Sequence, residues 1–173
     1  MASKEYLVNK IPLPNGKNRT IQTFQNANDI IECLRYAELN SRDTSKILSK
    51  YFNETDKYKV AAKVWYFLRT QIRYFAEPPS NQTAKTINRF LYDCTYKNGT
   101  GDCKHFATFA TGILNACNIP TTFTFVGQNK YIKKPNHAYA TALINGKEVI
   151  IDACRTKFND ECEYFYKWNS KIK

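Results

Sequence analysis

At 173 residues, 43% of them hydrophobic and 14% aromatic, the chain is long enough for one packed domain and too apolar to be disordered. The net charge of +11 invites anionic partners, but the lysines are dispersed among asparagines and only Lys130-Tyr131-Ile132-Lys133-Lys134 clusters, so nucleic acid is not a favoured partner. The start MASKEYLVNK lacks the apolar core of a signal peptide, and the most apolar stretch, Val60 to Leu68, is too short to span a bilayer, so a soluble, cytoplasmic protein with no membrane contact is expected. Six cysteines without a CxxC pair or regular spacing read as free thiols, and neither a metal nor a cofactor is suggested.

Residues 1–25 read as an N-terminal extended arm or hairpin around Asn15-Gly16, peripheral to a single domain over 26–173. Apolar residues at helical spacing behind capping residues predict short helices over 28–40 and 43–52. The stripe Ala61, Val64, Trp65, Leu68, Ile72, Phe75 predicts a longer helix over 56–75, stopped by Pro78-Pro79. Another short helix is expected over 83–93, and one more begins after Gly101. Past Pro120 the pattern turns to strands over 121–126, 137–144 and 147–154. Helices first and sheet second make an α+β fold, with an antiparallel sheet packed on the helix that carries Cys103.

Asp102 is a favoured N-cap, which puts Cys103 at the first helical position, where unsatisfied backbone N–H groups and the helix dipole stabilise a thiolate. Cys103, Phe106, Ala107, Ala110, Leu114 and Cys117 form one apolar stripe, so the cysteine faces the sheet. His105 is rotated by about 200° from it and turns to the other face. The chain has two histidines, which leaves His137 as the candidate base.

The turn Asn145-Gly146 suits a type I′ hairpin, and pairing Ile144 with Lys147 makes Tyr139 oppose Asp152 and His137 oppose Cys154. His137 and Asp152 are then diagonal neighbours on one face, about 7 Å apart at the backbone. A one-residue slip would separate them. Thiol, imidazole and carboxylate in this order are the groups that nucleophilic acyl transfer requires.

Gly101-Asp102-Cys103-Lys104-His105-Phe106-Ala107, Asn118-Ile119-Pro120, His137-Ala138-Tyr139 and Ile151-Asp152-Ala153 together resemble the Cys, His, Asp core of the transglutaminase-like superfamily, whose fold is similar to papain. The resemblance runs from about Trp65 to Cys154, and Ile72-Arg73-Tyr74 upstream is similar to small members found in bacteria and phage genomes. It implies Cys103 as nucleophile, His137 as base and then acid, and Asp152 as the orienting carboxylate. The tryptophan that often precedes the family's aspartate is Ile151 here. Trp65, Gln71, Tyr74 and Tyr92 are all candidates for the family's upstream oxyanion-side group, beside the backbone N–H of Cys103.

Implied is a thiol acyl-transfer enzyme acting on amide or ester bonds of a protein or peptide substrate. Hydrolysis is favoured over amine transfer, which needs a second binding site. The alternative is a structural or assembly protein that keeps the fold; the arm and the Lys/Asn-rich composition fit a phage-encoded chain, with virion proteins as partners and the virion as location.

Overall fold

The computed structural model describes residues 2–14, 19–21, 27–78 and 82–171. The elements run α1 (Lys4–Val8), β1 (Arg19–Ile21), α2 (Ala27–Leu39), α3 (Arg42–Ser49), α4 (Lys57–Gln71), β2 (Gln82–Ala84), α5 (Ile87–Tyr96), α6 (Cys103–Ala116), β3 (Thr121–Gly127), β4 (His137–Ile144), β5 (Lys147–Ile151) and β6 (Tyr166–Lys171). This is the expected α+β arrangement, with helices followed by an antiparallel sheet in the order β5-β4-β3-β6. Among the described residues no helix is long and apolar enough to cross a membrane.

Helix α6 lies at the centre. Its Phe106, Phe109, Ala110, Ile113 and Leu114 join Ala140, Ala142 and Ile144 of β4 in one core with Phe67 of α4 and Phe90 of α5. Alanines at alternate positions of β4 let the helix backbone approach the sheet closely, because a strand shows every second side chain to the same face. The opposite face carries Tyr139, which packs with Val126, Ile150 and Cys162. Thus β4 is covered on both sides, and its first residue, His137, begins where the helix begins.

The hairpin register is the expected one: Ile144 pairs with Lys147 and Ala140 with Ile151. Asn145 and Gly146 take positive φ angles of 52° and 75°, as a type I′ turn requires. The ladder ends at Ile151, short of the expected Cys154, because the Asp152 carboxylate accepts the Cys154 N–H at 3.0 Å and turns the chain away.

Other expectations are corrected. Residues 5 to 8 are helical, with Ser3 as N-cap and Leu7 and Val8 buried in the main core, where an extended arm was expected. The Asn15-Gly16 turn lies outside the described residues. Helix α4 stops at Gln71, since Gly101 donates to the Arg73 carbonyl (3.1 Å) and accepts from the Phe75 N–H (2.9 Å), pulling this segment into an extended bridge. Residues 82–84 are a strand paired with β1, so the next helix starts at Ile87. Strand β6, absent from the sequence expectation, pairs with β3 as a lysine-bearing edge.

Candidate active site

Asp102 is extended, caps α6 and accepts the His105 N–H through Oδ1 (3.5 Å), so Cys103 is the first helical residue. The neighbouring Tyr74 to Gly101 bridge leaves no room for a side chain at 101, where a Cβ would sit 2.6 Å from the Phe90 ring and 2.7 Å from the Phe106 ring. Glycine at this position lets the chain enter the helix between two aromatics.

Cys103 and His137 line one cleft of about 290 Å³, together with Tyr74, Gln82, Phe125 and Asn136. His137 Nε2 lies 2.7 Å from Asp152 Oδ2, which is 2% exposed. Burial alone would hold the imidazolium down, but the Asp152 hydrogen bond, then the interaction with the Cys103 thiol and the charges of both, push its pKa up to about 10. The Asp152 contact occupies Nε2, and Nδ1 is left for the thiol. The three residues singled out in the sequence therefore meet.

Asp152 is held from behind. The Trp65 indole N–H donates to its backbone carbonyl at 3.0 Å. Of the four upstream candidates, Trp65 is committed to this contact, Gln71 ends α4 and is not among the cleft-lining residues, and Tyr92 packs with Tyr96, whereas Tyr74 lines the cleft beside Cys103. Burial, and then the negative charge that Cys103 can carry, raise the Tyr74 phenol, which stays protonated and able to donate.

His105 is indeed turned away from the thiol, but it lies in no open face. It is buried, stacks on Phe90, sets Nδ1 2.9 Å from Asp102 Oδ1 and Nε2 3.3 Å from the Thr83 hydroxyl. Lys104, also buried, bridges Asp102 and Glu77, the latter at 3.0 Å. Glu77 in turn accepts the Thr83 N–H and hydroxyl, both at 2.6 Å. Burial would raise the Asp102 carboxyl, but His105 and Lys104 outweigh it and hold it well below the usual carboxylate range. This network ties the cleft wall at 74–84 to the start of α6. A buried lysine beside a glutamate 27 positions away has no local sequence signal; the Asp102 and His105 pair is a capping box that local spacing could have revealed.

Two further thiols adjoin the carboxylate. Cys154 donates toward Asp152 and is raised first by burial and then by that charge. Cys162 has its Sγ within 4.8 Å of the His137 and Asp152 ligand atoms. No spacing in the sequence pointed to either.

The family profile described as the transglutaminase-like superfamily matches residues 46–153. Among solved structures, the fold is similar to a putative protease from Parabacteroides distasonis, at 15% identity and a TM-score of 0.56, over 72% of this chain and 26% of that one. It is also similar to a putative cysteine protease from Cytophaga hutchinsonii, at 24% identity and a TM-score of 0.51, over 80% of this chain and 49% of that one. The chain spans less than half the length of either, and at these identities the likeness is one of fold. No curated protein matches the sequence.

Proposed function

The chain belongs to the transglutaminase-like superfamily, and from that premise we propose that it is a cysteine-dependent acyl-transfer enzyme that hydrolyses amide bonds in protein or peptide substrates. The observation that carries this reading is the meeting, in one open cleft, of a thiol at a helix N-terminus with an imidazole whose far nitrogen is bound to a buried carboxylate.

Each group has a part. The Cys103 thiol gives its proton to His137 Nδ1, and the resulting imidazolium is stabilised by Asp152, in keeping with its raised pKa. The thiolate Sγ attacks the substrate carbonyl carbon, and the carbonyl electron pair moves onto oxygen. That oxyanion is met by the Cys103 backbone N–H, unpaired within the helix, and by the Tyr74 hydroxyl on the cleft wall. His137 then delivers its proton to the leaving amine as the C–N bond breaks, which leaves a thioester. Water attacks the thioester, its proton passes to His137, and collapse expels the Cys103 thiolate with release of the acid.

Trp65 and the Cys154 N–H fix Asp152 at both its carbonyl and its carboxylate, so the imidazole has one orientation. The cleft has apolar walls from Phe125, Pro135 and Ala138, which suit an apolar side chain next to the scissile bond. A purely structural role would be favoured by a triad sealed under its own chain, whereas Cys103 borders open space. Incubating the protein with a panel of fluorogenic peptides and with a thiol-directed acyl probe tests the reading. Hydrolysis and selective labelling of Cys103 among the six thiols is the expected result. Equal labelling of all accessible thiols without hydrolysis would overturn it.

A further inference from the structure

Beside the imidazole and its carboxylate stands a third ligand-bearing residue that acyl transfer does not use. A ring nitrogen of His137, a carboxylate oxygen of Asp152 and Sγ of Cys162 all lie within 4.8 Å of one another. Nε2 is the nitrogen turned to Asp152, so it is the one that an ion shared with the carboxylate would take. Cys162 is 5% exposed and packs on Val126, Tyr139 and Ile150, yet it also lines a second cleft with Gln128, Arg155 and Glu163. That cleft shares no lining residue with the one that holds Cys103, so the Cys162 thiol is reached by a route separate from that to the nucleophile.

We propose that His137, Asp152 and Cys162 form a zinc site, entered through this second cleft, whose occupation switches the triad off. Thiolate, imidazole and carboxylate are the ligand types zinc selects, whereas calcium and magnesium take oxygen alone. Bonds of about 2.0 to 2.3 Å in a tetrahedron need ligand atoms about 3.3 to 3.7 Å apart. The 2.7 Å His137 to Asp152 contact must therefore open by about 0.6 Å, and the Cys162 separation, at most 4.8 Å, close by no more than about 1 Å, within the range of side-chain rotation. Water completes the fourth position.

On binding, Cys162 releases its thiol proton to solvent, and the single hydrogen of the neutral ring moves from Nε2, where Asp152 held it, to Nδ1. The two charges of the ion are matched by one thiolate and one carboxylate, so the buried assembly is neutral and avoids the cost of a lone buried charge. With zinc on Nε2, the one ring hydrogen is held on Nδ1. That nitrogen can no longer accept the Cys103 proton, and the nucleophile loses its base. The blockade rests on the acyl-transfer reading, but the site itself does not.

Cobalt(II), as a spectroscopic stand-in for zinc, tests the site in the chelator-treated full chain. The expected result is saturable binding of one equivalent, with sulfur-to-cobalt charge-transfer absorption and the intense visible bands of a four-coordinate ion. These bands persist in Cys103→Ala and disappear in both Cys162→Ala and Cys162→Ser, with circular dichroism checking that each variant is folded. Absence of the bands in the unmodified protein, their survival in both Cys162 variants, or their loss in Cys103→Ala would overturn the site. In the unmodified protein, saturating zinc should slow Cys103 alkylation by at least about tenfold, and this ratio should collapse toward one in Cys162→Ser. Alkylation unaffected by zinc in a protein that shows the cobalt bands would overturn the switch. Failure of peptide hydrolysis, by contrast, would leave the cobalt result standing.

Discussion

The two histidines of this chain each sit against an aspartate, on opposite sides of the start of α6, and they differ in everything else. His105 lies 2.9 Å from Asp102 and has its second nitrogen at Thr83, so both ends of the ring are spent on structure. His137 lies 2.7 Å from Asp152 and keeps its second nitrogen for the cleft, beside a thiol. An imidazole next to a carboxylate is thus no catalytic signature by itself. What distinguishes the pairs is the group reached by the other nitrogen and whether substrate can approach it.

Substitutions at the thiol and the two rings should divide this comparison most sharply. Cys103→Ala is expected to remove hydrolysis to background, a loss of at least about a thousandfold in kcat, while thermal unfolding moves little, because alanine suits a first helical turn. His137→Ala should lose activity to a similar extent with the fold intact. His105→Ala should do the reverse: it strips the buried Asp102 of a partner and opens the cap, costing about 3 kcal/mol of stability while kcat measured below the lowered Tm stays within about threefold. A His105→Ala protein that unfolds like the parent but loses turnover like His137→Ala would erase the distinction.

Smaller effects sharpen it. Asp152→Asn should lower kcat by about a hundredfold or more with KM nearly unchanged, and the His137 titration, followed by NMR, should fall from about 10 toward ordinary imidazole values. Tyr74→Phe removes one oxyanion donor but keeps the ring that packs on Phe106, so a loss of about ten- to a hundredfold in kcat is expected with little change in Tm.

The two sides also answer pH differently. His137 is raised above its unfolded value of about 6.5, so its contribution to stability is fully present below that pH and is lost as pH rises through about 10. Asp102 is depressed, so its contribution is present above about 4 and is lost as pH falls below that. Tm measured against pH in chelator should fall at both ends, with His137→Ala flattening the alkaline limb and Asp102→Asn the acid one. An alkaline limb unchanged by His137→Ala would show that its charge is not coupled to folding.

Local signals in the sequence determined a good part of this. Asp102 before an apolar stripe set the start of α6 and put Cys103 at its first position, and Asn145-Gly146 set the hairpin register that brings His137 to Asp152. Both are decided within a few residues by capping and by turn geometry, which act before any long-range contact forms. The tertiary structure decided the rest. Helix α4 stops at Gln71 although its apolar stripe continues, because the backbone of Gly101 offers hydrogen bonds to the chain at Arg73 and Phe75. Lys104 is buried because Glu77 and Asp102 are both there to receive it, and Cys162 stands behind the triad because β6 carries the preceding segment back along β3. Such partners are distant in the chain, and the free energy of their meeting depends on burial and charge that only the assembled fold creates.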